Sequence, residues 1–298
     1  MAIDQLQERL RQYDANRAEI GLLALEDHAE IISFVPEDMT VKVAAGISLA
    51  EVQSKLAEAG QWLPLDPADH SATIKQIIDG NLYGPCRYGY GAIREHLIGM
   101  EMILADGRLV QSGGNVVKNV AGYDLMKLFV GAHQSLGIVA SATFKLQPVP
   151  ERTVILRRKC EDSATVAQLT DQLVDSEVCP VVLDWFRTEP GRNVNLCIAF
   201  AGTGAEVDWQ LQEVAEIGFE EVADMDYQRS QPPFKSTIKP SALRALVDEL
   251  KDAPFVARAG NGVIWSDRSV GKPAPRPLDL ERRLKETFDP HGLLPSLD

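Results

Sequence analysis

Gly114 to Gly131 combines a strand, a glycine turn and a helix start, and in it Lys118, Asn119, Tyr123 and Asp124 interrupt an apolar run. Two chemistries suit that arrangement: a polar network that locks the strand-to-helix turn, or a set of side chains that contact a ligand. Gly84, Gly91, Gly122, Gly131 and Gly137 let the backbone come within contact distance of a flat ligand, and the N–H groups beside them can bond its oxygens or phosphates. Taken singly, each of them also reads as an ordinary turn glycine. Arg94 and Arg258 are candidate carboxylate anchors, with a structural or solvent-facing side chain as the expected state of Arg258. Lys75 is a candidate phosphate partner, with a solvated surface lysine as its expected state. Metal chemistry finds no support in spacing, because the histidines form no HxxxH or HExxH. Cys86, Cys160, Cys179 and Cys197 form no CxxC pair and are expected to be reduced, mostly buried thiols.

The elements that must position these residues are legible from periodicity. Residues 3 to 19 are expected to form an amphipathic helix with Leu6, Leu10 and Tyr13 on one face, and Ile31 to Phe34 and Val41 to Val43 short strands. Ser48-Leu49-Ala50-Glu51 is a capping box; Leu49, Val52 and Leu56 follow at helical spacing, and Gly60 is expected to end that helix. Leu97 to Leu104 and Arg108 to Val110 flank Asp106-Gly107 as a hairpin whose turn takes positive φ angles, and Ile138 to Leu146 is a further strand. Pro148 and Pro150 mark a domain boundary.

Beyond it the order is Val154 to Arg158 (strand), Ser163 to Leu173 (helix), Val181 to Phe186 and Val194 to Phe200 (strands), Glu206 to Ile217 (helix) and Phe219 to Met225 (strand). That βαββαβ order predicts a ferredoxin-like sheet. A proline linker at Pro232 and Pro233, a helix begun by Pro240 and a last helix carrying Leu280, Leu284 and Phe288 complete the chain.

The formal net charge of -13 opposes binding to nucleic acid, since phosphate contacts need clustered Lys and Arg. No apolar run approaches the roughly 20 residues that span a bilayer, and the N-terminus lacks a secretory pattern, so a cytoplasmic location is expected.

Several segments in order resemble those of the GlcE-like family, the FAD-binding subunits of bacterial glycolate oxidase, within the vanillyl-alcohol-oxidase or PCMH-type flavoprotein superfamily. They are Leu63-Pro64-Leu65-Asp66-Pro67, Ala72-Thr73-Ile74, Asn81 with Gly84-Pro85, Tyr88-Gly89-Tyr90-Gly91 with Arg94, Lys118 to Gly131, Ser135-Leu136-Gly137-Ile138-Val139 and Phe288-Asp289-Pro290-His291-Gly292-Leu293. The resemblance implies an α+β fold, with a PCMH-type FAD-binding domain over 31–150, a ferredoxin-like cap over 151–275, a tail over 276–298 that returns to the first domain, and an N-terminal extension over 1–30. It implies FAD as cofactor, with Pro67, Thr73, Ile74, Asn81, Gly84, Tyr90, Gly91, Lys118, Asn119, Gly122, Tyr123, Asp124, Gly137 and Ile138 around it. It also implies a catalytic flavoprotein subunit and an iron–sulfur subunit as partners in oxidising glycolate or another 2-hydroxy acid.

Three departures qualify those expectations. Family members carry a preceding β-α-β unit with an Arg-Gly-Gly-Gly-Thr type loop around the FAD pyrophosphate, whereas residues 1 to 30 hold only Gly21; an N-terminally truncated domain without that cradle is expected. Lys75-Gln76 stands where the family has Gly-Gly, and Asp69-His70 where small residues are common, so long side chains are expected to fill space or block backbone approach there. Catalytic relatives place histidines in a His-x-Gly-Asp-Gly-Asn-x-His type motif, and the local echo Arg258-Ala259-Gly260-Asn261-Gly262 has none. The expectation is a subunit that binds FAD weakly or not at all and is inactive alone. An ordinary FAD-binding subunit and a carboxylate-binding module without redox chemistry are the alternatives.

Overall fold

Apolar residues fall into two stretches on either side of Pro148 and Pro150, and in the computed structural model each stretch builds its own sheet and core. The structure describes residues 28–114, 124–270 and 278–296. The helix expected over 3 to 19 lies outside them.

The first sheet joins β1 (Ile31–Val35), β2 (Thr40–Ala44), β3 (Leu97–Ile103), β4 (Leu109–Gly113) and β5 (Ile138–Lys145). It is antiparallel, in the order β1-β2-β5-β3-β4. β5 is the central strand, and its run of apolar and small residues is buried through Phe144, as a strand covered on both faces requires. Ala142 sits in register with Val43 on one side and Met100 on the other. Helix α1 (Leu49–Ala57) starts in the capping box read from Ser48 and Glu51, and buries Leu49, Val52 and Leu56. It ends at Ala57; Gly60, at φ +68°, closes the turn that follows. Helix α2 (Ile74–Gly80) adds Ile74, Ile77 and Ile78 to the same core. Each such fully buried side chain stabilises the fold by about 1.5–3 kcal/mol.

The β3–β4 hairpin corrects one reading. Only Gly107 has a positive φ, +77°, while Asp106 does not. Gly107 N donates to Leu104 O at 2.9 Å and Leu104 N to Arg108 O at 3.0 Å, so the connection is a longer turn closed by one left-handed glycine, not a two-residue turn.

The second sheet contains β6 (Arg152–Cys160), β7 (Val182–Arg187), β8 (Val194–Gly202) and β9 (Glu220–Val222), with helices α3 (Ser163–Val174) and α4 (Gly204–Glu213) between them. The strand order β9-β6-β8-β7, all antiparallel, is the ferredoxin-like arrangement. The two elements that depart furthest from the sequence reading are the second helix and the last strand. The second helix stops at Glu213, before a single 3-10 turn and Gly218 at φ +77°, and the last strand shrinks to three residues. β10 (Phe234–Thr237), β11 (Phe255–Arg258) and β12 (Val263–Ser266) were not foreseen; they extend the sheet beyond β7 in the order β11-β12-β10. Helix α5 (Leu243–Leu250) follows the Pro240 turn and buries Leu243, Leu246, Val247 and Leu250. The last helix, α6 (Leu278–Phe288), packs Leu284 and Phe288 against the first core.

The described residues divide into two compact units, 28–83 with 91–114, 124–149 and 278–296 in the first, and Gly84–Tyr90 with 150–270 in the second. The Gly84–Tyr90 stretch leaves the first unit to join the second: Gly89 N donates to Val181 O at 3.1 Å.

Candidate functional site

The structure gives most of the sequence-derived site residues a position. In the first unit Pro67 is buried in the loop after Leu65, Ile74 is fully buried in the core, and Thr73 is the N-cap of α2. Asn81 caps the other end of α2 at φ 45°, and its buried Oδ1 has no hydrogen-bond partner. Gly91 has φ +87°. Asp124 is exposed and pairs with Lys127 at 2.9 Å. Gly137 answers to packing: a Cβ there would stand 2.9 Å from the Phe129 ring and 3.1 Å from Ile103 O. Ile138 opens β5, fully buried. Gly84 and Tyr90 belong to the second unit, where burial, aided by Cys86, pushes the Tyr90 phenol up to about 12. Lys118, Asn119, Gly122 and Tyr123 lie outside the described residues.

A diphosphate needs donors, and helix starts with open N–H groups are the usual source. The two helix starts beside the first sheet are closed. At α1, Leu49 N donates to Ala72 O at 3.0 Å and Ala50 N to His70 O at 3.1 Å, while Ser48 and Glu51 satisfy each other's amides. At α2, Ile74 N donates to Ile47 O at 2.9 Å and Lys75 N to Ala45 O at 2.8 Å. Thr73 N donates to Gln76 Oε1 at 2.9 Å, and Gln76 N to Thr73 Oγ1 at 3.2 Å. Gln76 therefore completes a capping box, a duty that the comparison with Gly-Gly did not suggest. Lys75 is corrected as well: instead of a solvated surface lysine it is 15% exposed and pairs with Asp79 at 3.2 Å. Burial raises the Asp79 carboxyl above its usual value, against the pull of Lys75. Among the described residues, these two helix starts offer a diphosphate no free amide.

A cavity of about 540 Å³ opens in the same unit, between the 128–136 segment, Arg94 and α6. Its wall is tied down by α6: Lys285 Nζ donates to Ser135 O at 2.9 Å and to Leu294 O at 3.1 Å, and pairs with Asp289 at 2.5 Å. The fully buried Asp289 side chain accepts from Leu293 N and Leu294 N, both at 2.8 Å, which explains an aspartate at that point of the terminal motif.

In the second unit, period-two alternation sends Leu183 and Trp185 toward the helices and leaves Asp184 and Phe186 on the opposite face. There Arg258 Nη1 pairs with Asp184, and Tyr227 donates its hydroxyl to the same carboxylate at 2.7 Å; both members of the ion pair are 1% exposed. Arg258 thus binds a carboxylate of its own chain, the structural role expected for it, and is not placed to anchor an external one. Burial raises the Asp184 carboxyl, opposed by Arg258, and raises the Tyr227 phenol; it pushes the neighbouring Cys197 thiol up to about 12. The sequence reading missed Asp184 and Tyr227, though a single carboxylate inside Val181-Val182-Leu183-Asp184-Trp185-Phe186 signals a buried partner.

These features define a flavoprotein-type α/β unit joined to a ferredoxin-like unit, and comparison with known proteins agrees. Residues 14–113 match the model of the FAD binding domain family, and FAD is the cofactor that this resemblance supports. The match begins within the stretch read as an extension.

The chain is homologous to glycolate oxidase subunits: it is 34% identical over 167 residues to glycolate oxidase subunit GlcD of Bacillus subtilis, covering 55% of this chain and 36% of that one. It is 31% identical over 146 residues to glycolate oxidase subunit GlcE of Escherichia coli, covering 48% and 42%. A probable mitochondrial D-lactate dehydrogenase of Danio rerio is 33% identical over 134 residues, 44% of this chain and 27% of that one. The matches thus span less than half the length of these curated relatives. A solved alkyldihydroxyacetonephosphate synthase shares the fold, with TM-score 0.71 and 15% identity over 91% of this chain and 67% of that one. Among the described residues no helix is long and apolar enough to cross a membrane, and no cluster of His, Cys, Asp and Glu could hold a metal ion.

Proposed function

We propose that this chain is a subunit of a 2-hydroxy-acid oxidoreductase of the glycolate oxidase type, working beside a catalytic flavoprotein subunit and an iron–sulfur subunit, and that alone it binds FAD weakly or not at all. The observation that supports the reading best is the closure of the α1 and α2 starts, where Ala72 O, His70 O, Ile47 O, Ala45 O and the two capping boxes take every amide that those two starts would offer a diphosphate. Burying two phosphates without replacing their water is costly. A second support is Arg258, held by Asp184 in a segment with no histidine to act as general base.

The opposite reading, FAD bound in the usual way, is favoured by the family match over 14–113. Titration of FAD into the purified chain separates the two. Weak or absent binding, a colourless preparation without the flavin bands near about 370 and 450 nm, and negligible glycolate dehydrogenase activity are expected. Submicromolar binding, roughly -8 kcal/mol or stronger, overturns the loss of cofactor and restores an ordinary flavoprotein subunit.

A further inference from the structure

We infer that a cavity in the second unit, between the start of α3, the end of α5 and the β7–β8 turn, binds a small zwitterionic α-amino acid. It measures about 390 Å³, at the small end of ligand sites. Its buried charge is Arg187, the last residue of β7, which is 5% exposed. Main-chain carbonyls, not a carboxylate, hold that guanidinium: Nε donates to Asn193 O at 3.1 Å, Nη1 to Ala253 O at 3.0 Å and to Lys251 O, and Nη2 to Arg192 O at 3.3 Å. Those bonds occupy four of its five N–H groups and leave one on Nη2. A buried charge is costly unless it is paired. Burial lowers the Arg187 guanidinium below its usual value, and the charge of Asp252 opposes that. An anionic group in the cavity supplies the counter-ion that no hydrogen-bonded carboxylate provides among the described residues. Lys251, beside it, sits at φ 54°, a backbone conformation that ordinarily takes glycine, fixed by Arg187 on its carbonyl and by its own N–H to Asp248 O at 3.2 Å.

The rest of the lining selects the class of ligand. Arg192 and Lys251 add two exposed cations whose side chains bond to no other described residue. A free anion is nonetheless opposed, because Asp162, Asp248 and Asp252 set three carboxylates against the three cations. Two of those carboxylates are engaged: Asp162 accepts from Thr165 N and Thr165 Oγ1, both at 2.8 Å, and Asp248 accepts from Ser163 Oγ. The exposed Asp252 side chain accepts no hydrogen bond among the described residues, which leaves it open to a ligand ammonium. A lining that is neutral in sum and divided in sign matches a ligand built the same way, an ammonium beside a carboxylate, better than either ion alone. Val247 is the one apolar side chain in that lining, which suits a short ligand side chain. Every residue invoked lies in the second unit, so the inference goes beyond the flavin reading and does not rest on it.

Calorimetric titration of the purified full chain with L-alanine, with propionate, which lacks the ammonium, and with ethylamine, which lacks the carboxylate, tests it. L-Alanine is expected to bind at least about tenfold more tightly than either, since each analogue forfeits one charge-assisted contact. Asp252→Asn and Arg192→Gln, both at exposed side chains, should weaken L-alanine by a similar factor with Tm unchanged. Asp252→Asn should also abolish the preference over propionate, because it removes the ammonium's partner and the carboxylate that repels the anion. No binding of L-alanine, an analogue that binds as tightly, unchanged L-alanine affinity in either variant, or an Asp252→Asn chain in which propionate weakens as much as L-alanine overturns the inference. Adding FAD to the same samples reads the flavin proposal separately.

Discussion

Asp79 and Asp184 are buried carboxylates with different solutions to the same problem. Asp184 shares one oxygen between Arg258 and Tyr227, whereas Asp79 relies on Lys75 at 3.2 Å. Because burial raises the Asp79 carboxyl, the folded chain keeps that proton at a pH where the unfolded chain has lost it. The site's contribution to stability is then complete below the unfolded value and falls as pH rises through the folded one. Asp79→Asn removes the titration, so urea melts from about pH 4 upward should show a shallower decline than the parent chain. An identical pH slope would mean that Asp79 titrates normally. Lys75 and Gln76 show how far residue types alone could lead: both were conspicuous where the family has glycines, but their roles depend on Asp79 and Thr73, which only the helix geometry brings beside them.

The C-terminal helix sets an element-scale case. Lys285, Asp289 and the carbonyl of Ser135 form a clasp that fixes the 131–136 turn, with the Asp289 side chain fully buried and Lys285 16% exposed. Removing one partner of a buried pair strands the other charge, a loss of about 3–5 kcal/mol when both are fully buried. Asp289→Ala is expected to reach about 3 kcal/mol, since Lys285 retains some solvent. Amide exchange should rise first at 131–136, where the clasp acts; uniform destabilisation without local exchange there would deny it.

Elements whose signals are local were legible in sequence. The Ser48 and Glu51 capping box, the strands at β7 and β8, and the βαββαβ order all appear where they were read, to within a few residues. β10, β11 and β12 escaped because each is four residues long, one follows two prolines, and one buries an arginine whose carboxylate partner lies on β7. Such pairing is a property of the sheet, not of the segment.

At the scale of the molecule, the chain crosses between its units more than once, and the Gly84–Tyr90 stretch is the short crossing. It is part of the second unit: Cys86 and Tyr90 pack against Val181, Val182 and Ala199, and Tyr88 lies so close to Gly260 that a Cβ there would stand 2.1 Å from its ring. A boundary placed by the prolines at 148 and 150 therefore cuts away residues that the second unit's own apolar surface requires. A fragment of residues 150–275 should fold its sheet but leave that patch open, losing roughly 2 kcal/mol for each apolar side chain no longer covered. Dye binding to exposed apolar surface, together with a urea midpoint below that of the second unit in the intact chain, is the expected result. Addition of a peptide spanning residues 84–91 should suppress the dye signal. A fragment that melts like the intact second unit and binds no dye would show that 84–90 is a passenger in that unit and not one of its parts.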